Sequence, residues 1–288
     1  MSKGDSKKVV VAALLANLGI ALVKGVAAVA TRSGAMLAET VHSLADSGNQ
    51  ALLLLGAARS RRPPDRRHPF GYGSERYFWA FIVALVLFAL GALFSVYEGI
   101  EKLLHPAPIR NVVWAYAVLG ASLVLELVSF RVARREIAVE RRGRSFARYF
   151  VETKDPSLPL VFLEDLGALF GLAFALGGVA ASHALGWTRA DGIATLLIGG
   201  LLGTIAAVLL VRCHRLLIGE GATDEDIGRI RAAVVATGGE VVDIRTLQLG
   251  PDNLVVGLEV RLEGSVAEVE RAIREAVPNA RYVAIEPA

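Results

Sequence analysis

The chain has 288 residues, 54% of them hydrophobic and only 20% charged, whereas a soluble domain usually carries about a quarter of its residues as charges. That balance, with the apolar residues gathered in the first three quarters, excludes a uniformly water-soluble globule. A single cysteine, Cys213, excludes a disulfide framework or a Cys-rich zinc module, and a formal net charge of +3 is too small to argue for nucleic acid.

Six apolar runs follow one another, each near the ~20 residues a helix needs to cross roughly 30 Å of hydrocarbon. They are Val9 to Ala30, Met36 to Ala58, Phe78 to Ile100, Val112 to Phe130, Leu158 to Ala184 and Gly192 to Val211. Polar or Gly/Pro-marked segments separate them, the longest being Arg59 to Arg76 and Arg131 to Pro156. Six crossings place both termini on one side of the membrane. Basic residues crowd the N-terminus (Lys3, Lys7, Lys8), the second loop (Arg59, Arg61, Arg62, Arg66, Arg67) and the fourth (Arg131 to Arg148), while the alternate loops are nearly bare. Because Lys and Arg in short loops resist translocation, both termini are expected in the cytoplasm. The first run also mimics a cleavable signal peptide, but it is longer than a usual h-region, and its removal would break the alternation of charge.

The spans make a transmembrane domain over 1–212, and the composition changes after Arg212. Residues 213–288 carry no spanning run and are expected to form a cytoplasmic domain. Asp224 to Ala236 has helical spacing, led by Thr223 and acidic first-turn residues. Val241 to Leu249 and Leu254 to Leu262 alternate like strands around a Gly250-Pro251-Asp252-Asn253 turn; Val266 to Val277 reads as helix and Arg281 to Ile285 as a last strand. The fold class is thus an α-helical membrane protein, a six-helix bundle with a C-terminal αββαβ domain of ferredoxin-like type.

Ionisable groups inside hydrocarbon are costly and are functional candidates by default. On the second span Glu39, His42, Asp46 and Asn49 are spaced by three, four and three residues, along one helix face. His42 and Asp46, one turn apart, can grip a cation between imidazole and carboxylate. The fifth span supplies a complement in Glu164 and Asp165; adjacent residues point about 100° apart, so one of the two is expected to aim at the shared centre. With His42 neutral, the two aspartates carry two negative charges, which a divalent cation would cancel. Glu98, Glu126 and Lys24 read instead as snorkelling side chains, and the many span glycines as helix packing.

These residues resemble the cation diffusion facilitator family of divalent-metal transporters. The resemblance rests on the second-span stretch from Gly34 to Asn49, on the loop His68-Pro-Phe-Gly71-Tyr-Gly73 and on Arg189-Ala-Asp191-Gly192, and it covers nearly the whole chain. It is nearest to the branch of the mitochondrial zinc transporter and its bacterial relatives. It implies six spans, cytoplasmic termini and a ferredoxin-like domain that supports a homodimer, with His42, Asp46 and Asp165 as metal ligands. Where the family usually has another ligand, four residues before Asp165, this chain has Val161, so either Glu164, Asn49 or water completes the shell, or the coordination differs from the common tetrahedral site. The family's auxiliary loop site, an Asp and two His, is reduced here to Asp65 and His68 with Tyr72 in the third position. Beyond His214 the soluble domain has no histidine, so metal sensing there is not expected.

The implied function is efflux of a divalent metal, Zn²⁺ first and Mn²⁺, Co²⁺ or Fe²⁺ next, in exchange for protons, by a chain that is not an enzyme. Two alternatives are a membrane metal sensor or scaffold that binds without transporting, and a membrane-embedded metallohydrolase; against the latter, no His-Glu-x-x-His segment occurs. The Ala-, Arg- and Leu-rich composition suggests a bacterial inner membrane.

Overall fold

The computed structural model describes residues 5–31, 34–106, 112–262 and 264–288. The chain divides into two compact units, each assembled from separate stretches: 1–55, 79–146 and 156–211 in the first, and 56–78, 147–155 and 212–288 in the second.

Long helices build the first unit: α1 (Asp5–Thr31), α2 (Gly34–Arg59), the rod formed by α3 (Glu75–Val86), a π-helical stretch (Leu87–Leu93) and α4 (Phe94–Leu104), then α5 (Val112–Glu140), α7 (Ser157–Ala184) and α8 (Ala190–Ile218). Among the described residues, four rods are long and apolar enough to cross a membrane: Glu75–Leu104, Val112–Glu140, Ser157–Ala184 and Ala190–Ile218. Helix is the only open-ended structure that satisfies every backbone polar group in lipid. α5 packs on α7, with Phe130 and Phe162 rings 5.1 Å apart, and α1 packs against both. The rod α3–α4 meets α8 through small residues: a Cβ built on Gly199 would fall 2.8 Å from a Val96 methyl, so the two backbones approach as only glycine allows.

Two features depart from the sequence reading. The segment Arg131 to Pro156 is largely helical: α5 runs on to Glu140, and α6 (Phe146–Glu152) follows. The apolar run ends at Phe130, but Ser129, Ala133 and Ile137 stay buried at intervals of four while Arg131, Arg134 and Arg135 face outward, so the helix continues as an amphipathic one. The third run is one continuous rod, but it contains a π-helical stretch, which apolar composition does not signal.

In the second unit the observed order is α9 (Asp224–Ala236), β1 (Glu240–Gly250), β2 (Asn253–Arg261), α10 (Val266–Ala276), β3 (Ala280–Pro287), matching the expected αββαβ within a residue or two per boundary. The sheet order is β1-β2-β3, antiparallel between β1 and β2 and parallel between β2 and β3, with α10 as the crossover. Thr223 and Ser265 cap the two helices by accepting hydrogen bonds from the Asp226 and Ala267 amides. Leu254, Val256, Leu258 and Val260 alternate onto one sheet face and bury against Ile230, Val234, Val269 and Ile273.

Candidate functional site

The site lies where α2, α5 and α7 of the first unit come together. Glu164 and Asp165, adjacent on α7, are both buried and turn to different neighbours. Glu164 accepts a hydrogen bond on each carboxylate oxygen from α2: from Asn49 Nδ2 at 2.9 Å and from Gln50 Nε2 at 3.2 Å. Asp165 accepts from Ser129 Oγ on α5 at 2.9 Å. This is the divergence expected of neighbouring positions about 100° apart on a helix. Asp46, one turn before Gln50 on α2, is close enough to both carboxylates to act on them as a like charge.

The amide network reaches further than the spacing of charges suggests. Gln50 Oε1 accepts from Asn17 Nδ2 at 3.3 Å, so that α1, α2 and α7 are tied in one chain, Asn17 to Gln50 to Glu164. All three side chains are buried, with Gln50 fully sequestered. One atom of the network is left over: Asn49 Oδ1 is buried and has no hydrogen-bond partner among the described residues. With Glu164 ionised a flipped amide would not help, because it would set this oxygen against the carboxylate. A buried acceptor without a donor costs about 1–3 kcal/mol, so the atom has capacity for a further partner.

Of the residues singled out from the sequence, the structure therefore brings Asp46, Asn49, Glu164 and Asp165 into one region. The backbone of His42 belongs to α2, one turn before Asp46, while its side chain, with those of Lys24 and Glu39, lies outside the described residues. Among the described residues no three His, Cys, Asp or Glu side chains gather closely enough to hold a metal ion. Gln50, Asn17 and Ser129 were missed. Gln50 is i+4 from Asp46 and so on the charged face, a signal that was available; Asn17 and Ser129 carry no charge and look like ordinary span residues.

Glu98 does not snorkel alone. It pairs with Lys102 at 3.0 Å, and Lys102 also reaches Asp191 of α8 at 3.0 Å, joining α4 to α8.

In the second unit the loop after α2 closes on itself. Tyr72 Oη donates to Asp65 Oδ2 at 2.6 Å, while Asp65 Oδ1 accepts from the Arg67 and His68 amides at 2.8 and 2.7 Å. The His68 ring lies 4.2 Å from that of Tyr72. The hydrogen bond from Tyr72, helped by the two amides, holds the Asp65 carboxyl below its ordinary value, and the same bond raises the Tyr72 phenol. The loop then docks on the sheet: Asn253 Nδ2 donates to the Phe70 carbonyl at 2.8 Å, Ser74 Oγ to the Leu249 carbonyl at 3.0 Å, and Phe70 meets Tyr282 edge-on. Gly73 and Gly250 lie back to back, so close that a Cβ on Gly250 would fall 2.7 Å from the Gly73 Cα.

The family model described as the cation efflux transmembrane domain matches residues 10–218. The chain belongs to the cation efflux family. Over 268 residues it is 35% identical to the proton-coupled zinc antiporter SLC30A9, mitochondrial, of Xenopus laevis, and 34% identical to the human protein of that name. Each match covers 92% of this chain but 48% and 47% of the relative, so the chain spans about half the length of these proteins. The magnetosome protein MamB of Magnetospirillum gryphiswaldense is 28% identical over 287 residues, with 94% of this chain and 90% of the relative covered. The family expected from the second-span and loop motifs is the one found. Its named antiporters are transport proteins and not enzymes, which removes the metallohydrolase alternative, and membership makes the chain a multi-pass membrane protein.

Proposed function

We propose that the chain exports divalent metal, Zn²⁺ foremost, in exchange for protons, through a site in which His42, Asp46 and Asp165 hold the ion and Asn49 Oδ1 or Glu164 completes the shell. The observation that carries this is the buried pair Glu164 and Asp165, with half-buried Asp46 near enough to act on both as a like charge, beside an acceptor, Asn49 Oδ1, that has no donor among the described residues. Like charges gathered in apolar surroundings repel, and a divalent cation is the simplest partner that reverses the balance.

Here α1 and α2 join the four long apolar rods as spans, which makes six. Both termini lie in the cytoplasm, with residues 1–212 as the membrane domain and 213–288 as a cytoplasmic, ferredoxin-like domain that supports a homodimer. The positive-inside distribution of arginines supports that orientation, and a bacterial inner membrane remains the proposed address. Zinc is favoured because an imidazole with carboxylates suits it and because the SLC30A9 relatives are named zinc antiporters.

Exchange follows from the chemistry of the ligands. They hold a cation only when deprotonated, and an imidazole, whose ordinary pKa is about 6.5, trades its proton for metal in the physiological range. Protons arriving from one side release the metal there, and metal arriving from the other displaces them. The test is zinc flux into sealed vesicles holding purified protein, under an imposed pH gradient. Wild type should move zinc and dissipate the gradient together, and His42→Ala and Asp46→Ala should do neither. Zinc binding without flux in the wild type would overturn the proposal in favour of a sensor.

A further inference from the structure

The second loop carries a group of charges that the transport site does not use. Arg61, Arg62, Arg66 and Arg67 fall within seven residues, all are exposed, and none forms an ion pair or side-chain hydrogen bond among the described residues. Topology alone requires only that the charges be present. Elsewhere in the same unit arginines are paired, Arg76 with Asp155 at 3.2 Å and Arg212 with Glu220.

What distinguishes this arginine run is how the only carboxylate within it, Asp65, is spent, Glu75 at the end of the loop being paired with Arg59 at 3.9 Å. Asp65 stands between the two arginine pairs, yet its oxygens are taken by the Tyr72 hydroxyl and the Arg67 and His68 amides. The ring of His68 over Tyr72, the rigid Pro63-Pro64 pair and the bond from the Asp65 amide to the His68 carbonyl fix the backbone of the turn. The result is a preorganised loop with four unpaired guanidinium groups, each able to grip a phosphate with two parallel hydrogen bonds.

We propose that this loop is a seat for the phosphate headgroups of anionic lipids. The covalent connection favours lipid over soluble phosphate. Eight residues after Arg67 the chain enters at Glu75 the rod that is long and apolar enough to cross a membrane. Turns closed by Gly71 to His68 and by Glu75 to Tyr72 shorten even that distance, so the arginines stay at the interface, where headgroup phosphate is abundant. Near an anionic surface each basic residue strengthens association roughly five-fold.

The test uses the full chain in a neutral detergent, with thermal unfolding followed by tryptophan fluorescence. Phosphatidylglycerol should raise the unfolding temperature where phosphatidylcholine does not, and the rise should shrink with salt. Arg61→Gln/Arg62→Gln and Arg66→Gln/Arg67→Gln should each lose much of it while the other loop arginines, Arg59 among them, remain to hold the topology. A second measurement needs no variant: phosphatidylglycerol vesicles should protect these four arginines of the wild type from phenylglyoxal, and phosphatidylcholine vesicles should not. An unchanged lipid response in both variants, equal effects of the two lipids, or full reactivity in phosphatidylglycerol would overturn the proposal. So would an equal shift from inorganic phosphate, which would make the loop a site for soluble anions. None of these readouts depends on metal transport.

Discussion

Asn49 and Glu164, on α2 and α7, are joined by a 2.9 Å hydrogen bond in which the amide donates, and the carbonyl oxygen of that same amide meets no donor among the described residues. When Glu164 is ionised it can only accept, and the bond then fixes which way Asn49 faces and turns its oxygen to the side on which the proposed ion would sit. Asn49→Ala should weaken zinc binding by roughly ten-fold or more, the range expected when a group supporting a metal ligand set is removed. Titration calorimetry on the purified chain checks this. Unchanged affinity would place Asn49 outside the shell.

Gln50 bridges Asn17 and Glu164, so its loss strands groups on two helices. Gln50→Leu should lower stability by about 1–3 kcal/mol, since a buried carboxylate loses a donor. Asn17→Leu should cost less, and the two losses should not add, because they share a bond. A double-mutant cycle read by thermal unfolding in detergent gives the coupling. Simple additivity would mean that the contact carries no energy.

Glu220 is gripped by Lys154 at 2.9 Å, Arg215 at 3.2 Å and Arg212, whose guanidinium also donates to the Phe150 and Thr153 carbonyls. Burial raises the Glu220 carboxyl, but the hydrogen bonds from Arg212 and Lys154 outweigh it and hold the group below its ordinary value. A carboxyl depressed in the folded state gives stability that is complete above the unfolded value, about 4.3, and fades as pH falls through the lower folded one. Glu220→Gln should therefore lower the unfolding temperature at neutral pH and flatten the decline on the acid side. A variant whose acid limb runs parallel to that of the wild type would show that other carboxylates set it.

Gly73 and Gly250 leave no room for a methyl group between loop and sheet. Gly250→Ala should push the loop off β1 and break the bonds from Ser74 and Asn253, with a loss of about 1–3 kcal/mol from overpacking. Faster amide hydrogen exchange over residues 69–74 would report it, with the exchange of β2 unchanged. Equal acceleration throughout the sheet would instead mean global unfolding.

Some of this architecture is legible from residue types alone, for reasons that can be named. Asp46 and Asp165 stand out because a short carboxylate well inside an apolar run cannot snorkel to its end as Glu98 and Glu126 can, and the αββαβ order can be read because Leu254 to Val260 alternate so cleanly. Asn17 and Ser129 stay hidden because a neutral polar side chain is common enough in an apolar helix that its presence alone does not say which neighbour it bonds. The continuation of α5 past Phe130 is masked by its arginines: hydropathy drops there although the four-residue rhythm of Ser129, Ala133 and Ile137 persists. The role of Tyr72 is visible only in three dimensions, where its hydroxyl closes on Asp65.

The wide turn at Leu87–Leu93 sets the azimuth of everything beyond it. A π-helical stretch holds roughly one residue more than an α-helix of the same rise. Wound as regular α-helix, the same residues would swing the downstream segment by about 100°, carrying Lys102 away from Asp191 and turning Gly99 out of its seat against Leu196. The stretch works as a phase spacer that absorbs one extra residue, so losing one there should be taken up by a return to α-helix, whereas the same loss in the flanking α-helical turns should not.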